Sequence, residues 1–175
     1  MKPGKIKKIE KYHYNSDGKL HKRVTLNRKK EPEDSTMFIH KNGRLASVSY
    51  YDHDSYNSIS YFYNEDKLPA RKEIRSDNET TTIKYNYKNN GLLESYEILK
   101  QKRPNRNSLF TFDYNAAGKL IGFKIYEGGN FHNRLSPDNQ YTLTYNEKGM
   151  LELIREMGNN GVINKTISYE VEITD

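Results

Sequence analysis

The sequence contains no cysteine. Disulfide bonds, thiolate metal sites and cysteine nucleophiles are therefore excluded. No apolar run approaches the roughly 20 residues that a membrane-spanning helix needs, so no transmembrane segment is predicted. The first eight residues are basic, but no apolar stretch follows them, which leaves either a cytoplasmic protein or one whose export signal has been removed. Of the two, we favour a secreted or cell-envelope location.

Large aliphatic side chains are scarce, and no segment has the pattern of an amphipathic helix. Leu, Ile, Val and Phe together make up about a fifth of the 175 residues, a level at which disorder becomes plausible. The 15 tyrosines offset this shortage, because a tyrosine buries a large ring while its hydroxyl keeps a polar partner. The length, together with the regular repeat described next, predicts one ordered domain spanning residues 1–175.

A short signature recurs along the chain: an aromatic or apolar residue, any residue, Tyr, Asn, two spacers, Gly, a basic or apolar residue, and Leu. The first copy spans residues 12–20, and a copy without glycine spans residues 61–68. Self-similarity at a fixed period predicts a repeat architecture. The remaining copies centre on Gly43, Gly91, Gly118 and Gly149.

Each copy has the chemistry of a hairpin turn. An Asn side chain can cap a tight turn, and Gly takes the left-handed conformation that closes a type I turn with a bulge. Before each turn, aromatic residues alternate with Ser, Thr or charged residues, which is the period of a strand with one apolar face. The pattern predicts an all-β antiparallel meander of about six hairpins plus a terminal strand. The capping residues are Asn15, Asn64, Asn115 and Asn146.

An apolar sheet face must be buried against something, and no helix is available to cover it. We therefore expect the sheet to curl as a wide barrel, a half-shell or a curved open sheet. About eight strands already give a barrel that side chains just fill. A meander of about 13 strands would therefore enclose a tyrosine-lined hollow.

The signature resembles the YD repeats of Rhs and teneurin-type proteins, whose pattern is Tyr-x-Tyr-Asp-x-x-Gly-Arg-Leu. Tyr12, Tyr14, Gly18 and Leu20 match it directly, while Asn15 replaces the Asp of the family. The resemblance implies a ribbon of β-hairpins that, in large relatives, spirals into a hollow shell around a cargo. Six copies are too few for a complete shell, so a short free-standing form fits this chain better.

The tyrosines of the repeats are the main candidate binding residues. One interpretation is that they form a packed core, stacked across neighbouring strands. The other is that part of the stripe lines an open cavity that contacts a glycan, a base or a peptide. The candidates are Tyr63, Tyr87, Tyr114 and Tyr145.

Basic residues concentrate at the start of the chain. Residues 1–30 hold eleven Lys or Arg against two acidic residues, a net charge of +9, so the remaining 145 residues carry −3 of the total of +6. Such a patch favours an anionic polymer as partner, although lysines also protect an edge strand from pairing with other chains. The candidate residues are Lys22, Arg23, Arg28, Lys29 and Lys30.

No motif points to catalysis, a cofactor or a metal. The densest group of metal-type ligands, Asp52-His53-Asp54, lacks a recognisable ligand spacing and is interpreted as a solvated turn. No serine lies on a nucleophile elbow, and no pair of carboxylates is singled out. We therefore predict a non-enzymatic module that contacts a macromolecule, peptide or glycan through its tyrosine-rich sheet. The alternatives are a structural segment of a YD-type shell and an immunity or toxin-associated partner protein.

Overall fold

The structure, a computed structural model, describes residues 9–52, 55–129, 131–134 and 136–170. It is an antiparallel meander in which the strand order follows the chain from β1 to β13. This confirms the predicted all-β fold of six hairpins plus a terminal strand. The strands are β1 (Ile9–Tyr14), β2 (Leu20–Leu26), β3 (Pro32–Lys41), β4 (Arg44–Asp52), β5 (Ser55–Tyr63), β6 (Pro69–Arg75), β7 (Thr80–Tyr87), β8 (Leu93–Lys100), β9 (Ser108–Tyr114), β10 (Leu120–Glu127), β11 (Asn139–Tyr145), β12 (Leu151–Gly158) and β13 (Ile163–Ser168).

The only helical segments in the described part of the chain are two short 3-10 turns, Pro104–Arg106 and Phe131–Asn133. Among these residues, no helix is long and apolar enough to cross a membrane. Backbone contacts group the chain into two compact units, residues 1–82 and 83–175, with the boundary inside β7. We refer to them as the first and second units.

The signature turns have the predicted chemistry. The Asn15 side chain accepts hydrogen bonds from the backbone N–H groups of Asp17 (3.1 Å) and Lys19 (2.9 Å), and Gly18 adopts a φ of 71°. The Gly18 N–H bonds to the Asn15 carbonyl at 3.0 Å and the Asn15 N–H to the Lys19 carbonyl at 2.9 Å, which is a type I turn closed by a glycine bulge. A separate register shift follows, because Tyr14 pairs with Leu20 and His13 with Lys22. Asn64, Asn115 and Asn146 cap their turns in the same way.

The copy without glycine has Lys67 in the position that glycine occupies elsewhere. Lys67 adopts a φ of 70°, and the backbone N–H of Asn64 bonds to the carbonyl of Leu68 at 2.9 Å, just as Asn15 bonds to Lys19. Pro69 then pairs with Tyr63, where other copies place leucine. The signature therefore reaches residue 69 in this copy, one residue further than the sequence pattern indicated.

The turn at Gly43 differs from the expected one. Asn42 and Gly43 both have positive φ, 49° and 79°, and Lys41 pairs directly with Arg44, which defines a two-residue turn of type I′. The register shift seen in the other copies is kept, because His40 pairs with Leu45 and Ile39 with Ser47. His40 thus occupies the position of the second tyrosine of the signature, whereas the signature spacing, with Asn three residues before Gly43, predicts that His40 stands in place of the turn asparagine.

The most buried side chains differ between the units. In the first unit they lie on β2 and β3, where Thr25 is 2% exposed, and Leu26 and Thr36 are each 5% exposed. In the second unit, the most buried apolar side chain is Phe131, which belongs to a 3-10 turn and is 3% exposed. The alternating tyrosines and phenylalanines of the second unit are only half-buried.

Candidate functional site

The second unit carries six aromatic rings in a continuous series across its strands, which we call the aromatic ladder. Two ring pairs stack nearly parallel: Tyr96 with Phe110, at 4.4 Å between centroids and 14° between planes, and Phe123 with Tyr141, at 4.3 Å and 11°. Wider contacts of 5.8–6.4 Å connect these pairs to each other and to the first ring. The ladder comprises Tyr85, Tyr96, Phe110, Phe112, Phe123 and Tyr141.

Strand register explains why these rings meet. Tyr96 lies opposite Phe110, and Phe123 lies opposite both Phe112 and Tyr141, on its two neighbouring strands. Directly opposed residues project to the same side of a sheet and lie close enough for their rings to interact. The ladder therefore lies on one side of the sheet, which we call the aromatic face, and the side of Ser95, Thr111 and Thr142 is the polar face.

All six ladder rings remain half-buried. Burial raises the pKa values of Tyr96 and Tyr141 above the ordinary value of 10.0, and nearby carboxylates add to the shift at Tyr141. Both hydroxyls are therefore neutral at physiological pH. The face can offer apolar ring surface together with neutral hydroxyls, an arrangement typical of contact surfaces on proteins.

The second tyrosine of the signature connects neighbouring hairpins. The Tyr63 hydroxyl donates a hydrogen bond to the backbone carbonyl of Leu45, at 2.8 Å, in the hairpin before it. The Tyr114 hydroxyl bonds to the carbonyl of Leu93 at 2.9 Å, and that of Tyr145 to the carbonyl of Leu120 at 2.8 Å. In each case the acceptor is the leucine that ends the preceding signature. We call this contact the tyrosine staple.

A basic side chain from the preceding turn lies over each stapled ring. The Nζ atom of Lys119 is 3.6 Å from the centroid of the Tyr145 ring, and it also donates to the carbonyl of Gly149 at 2.5 Å. Arg44 lies 5.5 Å from the ring of Tyr63, and Lys88 lies 5.2 Å from that of Tyr114. These are cation–π distances. Arg44 and Lys119 directly follow the signature glycine of their turns, whereas Lys88 is the first residue of its turn.

These contacts give at least three of the four predicted tyrosines a structural role. Tyr63, Tyr114 and Tyr145 use their hydroxyls to join hairpins, and burial raises the pKa of Tyr114. Tyr87 is half-buried, and burial raises its pKa as well. None of the four belongs to the aromatic ladder. Their assignment to a ligand stays a prediction.

The five predicted basic residues do not share one surface. Arg23 donates to the Thr36 hydroxyl at 3.1 Å and lies 4.0 Å from a carboxylate oxygen of Glu10. Lys22 is the next residue along β2, so its side chain points to the opposite side of the sheet. The exposed basic cluster lies in the turn after β2 and consists of Arg28, Lys29 and Lys30.

Sequence reasoning missed the ladder rings that lie in the second strand of a hairpin, on β8 and β10. Tyr96 and Phe123 lie after the signature turn, whereas the repeat was aligned on residues before it. Their signal was the alternation within β8 and β10, which the signature does not contain. The basic residue after glycine was noticed as part of the pattern, but its cross-hairpin contact depends on three-dimensional register.

Within the described residues, no group of three or more His, Asp or Glu side chains could hold a metal ion. The cluster interpreted from the sequence as a solvated turn, Asp52-His53-Asp54, lies outside the residues whose side chains are described.

Comparison with known proteins gives a structural likeness without a sequence match. No protein-family model and no curated protein matches this sequence. The fold is similar to part of a chain in the crystal structure of TcdB2-TccC3-Cdc42, with a TM-score of 0.55 and 14% identity, over 91% of this chain and 10% of that chain. This likeness shows the fold, and the chain spans about a tenth of the length of the chain it resembles.

Two further structures are less similar. One is the Tc holotoxin pore of Photorhabdus luminescens, with a TM-score of 0.44 and 12% identity, over 93% of this chain and 12% of that chain. The other is a porin-like protein from Bacteroides uniformis, with a TM-score of 0.31 and 12% identity, over 93% of this chain and 90% of that chain. Both scores are too low to support a conclusion about this chain.

Proposed function

We propose that this chain is a non-enzymatic β-hairpin repeat module of the YD-repeat type that contacts another macromolecule through the aromatic face of its second unit. The observation that carries the proposal is the six-ring ladder, which is continuous across the strands while every ring stays half-buried. A continuous apolar surface that remains accessible is characteristic of an interaction site.

The residues between the rings favour a polypeptide as the partner. Ile125 lies opposite Phe110, and Leu143 lies opposite Ile154, so aliphatic side chains share the face with the rings. A glycan would need hydrogen-bonding groups around each ring, whereas an apolar peptide side chain gains from both kinds of neighbour. We therefore infer that the partner presents apolar or aromatic side chains.

The structural likeness supports the same class of function. The fold is similar to part of a chain crystallised as TcdB2-TccC3-Cdc42, a structure whose name indicates several proteins. By analogy, this module would act within a protein assembly. The analogy is one of fold, and the partner itself has to be found by experiment.

A second candidate function is a wall segment with no ligand of its own. The tyrosine staples favour it, because they occur in both units and serve only to join consecutive hairpins. Under this interpretation the aromatic face would be covered by other parts of a larger repeat sheet.

The two functions are separated by binding to an array of short peptides of varied hydrophobicity. Phe123→Leu removes a ring that stacks on Tyr141 but keeps an apolar side chain. Phe62→Leu is the matched control, because Phe62 is 39% exposed and alternates with Tyr61 and Tyr63 on the other side of β5. We expect Phe123→Leu to weaken retention of aromatic peptides about tenfold, a loss of roughly 1.4 kcal/mol, and Phe62→Leu to leave it unchanged.

If no peptide is retained by the unaltered protein, or if both variants lose retention equally, the binding function is wrong and the wall segment remains. The fold of each variant is checked by circular dichroism. This keeps a loss of binding distinct from unfolding.

We also propose that residues 1–30 contact an anionic polymer, now through the exposed cluster of Arg28, Lys29 and Lys30. Neutralising these three residues to Gln should lower the salt concentration that elutes the protein from heparin, because each lost phosphate- or sulfate-type contact reduces the salt dependence. Lys22→Gln is the control and should elute with the unaltered protein. If the triple variant elutes at the same salt concentration as the unaltered protein, this cluster does not bind an anionic polymer.

A further inference from the structure

The polar face of the second unit contains an open groove of about 460 Å³ across β7, β8 and β9. This lies within the size range of small-molecule sites. Its lining residues are mostly polar; of the two apolar ones, Leu109 lies on the same face as Thr111, whereas Phe112 is also a member of the aromatic ladder. The polar residues used below are Asn86, Ser95, Glu97, Thr111, Asp113 and His132.

The sheet holds the centre of the groove in a fixed geometry. Ser95 lies opposite Thr111, and Glu97 lies opposite Leu109. The amide of Asn86 donates a hydrogen bond to the Ser95 hydroxyl at 3.0 Å. Hydroxyl groups placed by paired strands need little rearrangement to bind a ligand, which lowers the entropic cost of binding.

One end of the groove is formed by the 3-10 turn after β10. Phe131 anchors this turn and is 3% exposed. The adjacent His132 contributes to the groove, and its Nε2 atom lies 3.6 Å from Oε1 of Glu97. On the β10 side of the turn, the Gly128 N–H donates a hydrogen bond to the Asn107 carbonyl at 2.8 Å. The end wall is therefore attached to the sheet.

The groove is bordered by the carboxylates of Glu94, Glu97 and Asp113 and by the ammonium groups of Lys88 and Lys124, so its formal charge is close to zero. Asp113 lies 3.2 Å from Nζ of Lys124, and Glu97 faces His132. Glu94 and Lys88 add one charge of each sign. Such a balance of charge favours neither a strongly cationic nor a strongly anionic ligand. Two apolar lining residues offer too little surface for a hydrophobic ligand.

From this geometry we propose that the groove binds a neutral sugar. Sugar hydroxyls both donate and accept hydrogen bonds, as do Ser95 and Thr111, while the Asn86 amide and the carboxylates supply the directional partners that a polyhydroxyl ligand requires. The groove is lined mainly by residues of the face opposite the aromatic ladder and shares only Phe112 with it. The variant used below is at Thr111, which is not part of the ladder, so the test is separate from that of the proposed peptide contact.

The test is a titration of the 15N-labelled protein with four neutral disaccharides (maltose, lactose, cellobiose and chitobiose), followed by amide chemical shifts. We expect at least one of them to shift the amides of Ser95 and Thr111. Thr111→Val removes one hydroxyl without changing side-chain shape and should weaken binding about fivefold, the effect of losing one hydrogen bond. Thr142→Val makes the same change on the same face outside the groove and should bind as the unaltered protein does.

Glucosamine and glucuronate distinguish hydrogen bonding from charge. The proposal is overturned if none of the four disaccharides shifts the groove amides, or if only a charged sugar does so. It is also overturned if Thr111→Val and Thr142→Val bind equally well. Amide spectra of both variants establish that each is folded before the comparison is made.

Discussion

The two units share one repeat, yet their sheet interiors differ. In the first unit the most buried positions include two polar residues, Thr25 and Thr36. The guanidinium group of Arg23 donates a hydrogen bond to the Thr36 hydroxyl. In the second unit the corresponding strand centres carry stacked aromatic rings. The staple at the signature end is the same in both, as Tyr63 and Tyr145 show. The signature thus determines how hairpins join, and the residues outside it determine what each face presents.

The largest difference between the units should appear when a central ladder ring is removed. Phe123→Ala deletes a ring in contact with Phe112 and Tyr141 and should lower the free energy of unfolding by about 2–3 kcal/mol, less than the loss of a fully buried ring because this ring is half-buried. Val48→Ala, at a half-buried strand centre of the first unit, should cost about 1 kcal/mol because fewer buried atoms are lost. Urea denaturation measures both. Equal costs would contradict the distinction between the units.

The staple should give equal effects in the two units. Tyr63→Phe and Tyr145→Phe each remove one hydroxyl and leave a backbone carbonyl without its donor, so each should lower the free energy of unfolding by about 1 kcal/mol. Tyr14→Phe is the control, because Tyr14 is 63% exposed. Its removal should change urea stability by less than about 0.5 kcal/mol. An effect confined to one unit would show that the staple is not a common element.

Alkaline pH should weaken the second unit through its tyrosines. Burial raises the pKa values of Tyr87, Tyr96, Tyr114 and Tyr141 above 10.0 in the folded protein. The unfolded chain then loses these protons first, so the contribution to stability is complete below about pH 10 and declines as the pH rises through the folded values. Unfolding free energies measured from pH 8 to pH 11 should show this decline. The double variant Tyr96→Phe/Tyr141→Phe should decline less steeply, and an unchanged slope would contradict the assignment.

The smallest effect expected is that of the cation over a stapled ring. Lys119→Met keeps most of the side chain but removes the charge over Tyr145 and the bond to Gly149, and it should cost about 0.5–1 kcal/mol. Lys102→Met alters an exposed lysine in the connection after β8 and should be neutral. Thermal denaturation compares the two variants. If they are equally stable, the basic residue of the signature has another purpose.

The strand order and turn chemistry could be predicted because both depend on local pattern. Alternation specified the strands, and Asn15 with Gly18 specified the bulged turn. The conformation of Lys67 was harder to predict, because positive φ is sterically unfavourable for a lysine and neighbouring hydrogen bonds must offset that cost. The turn predicted at Gly43 was wrong, because the register is shifted by one residue and His40 takes the tyrosine position. The spacing of the signature alone does not distinguish these two registers.

The candidate site was less accessible to sequence reasoning. Ring stacking between Phe123 and Tyr141 depends on the register between one hairpin and the next, and the connection after β10 sets that register. This connection includes the 3-10 turn that Phe131 anchors, and Phe131 has no equivalent in the repeated signature. A similar turn also occurs outside the signature. In the turn after β2, the Asn27 side chain accepts backbone hydrogen bonds as Asn15 does in a signature turn, and Lys30 adopts a φ of 65°.

The tyrosine staple has a direction along the chain. In each observed case the carbonyl acceptor precedes its hydroxyl donor by 18–25 residues. Synthesis on the ribosome runs the same way, and domains acquire structure from the amino terminus onward. Each hairpin that carries a staple is therefore synthesised after the leucine carbonyl that its tyrosine binds, so the acceptor is already present when that hairpin forms.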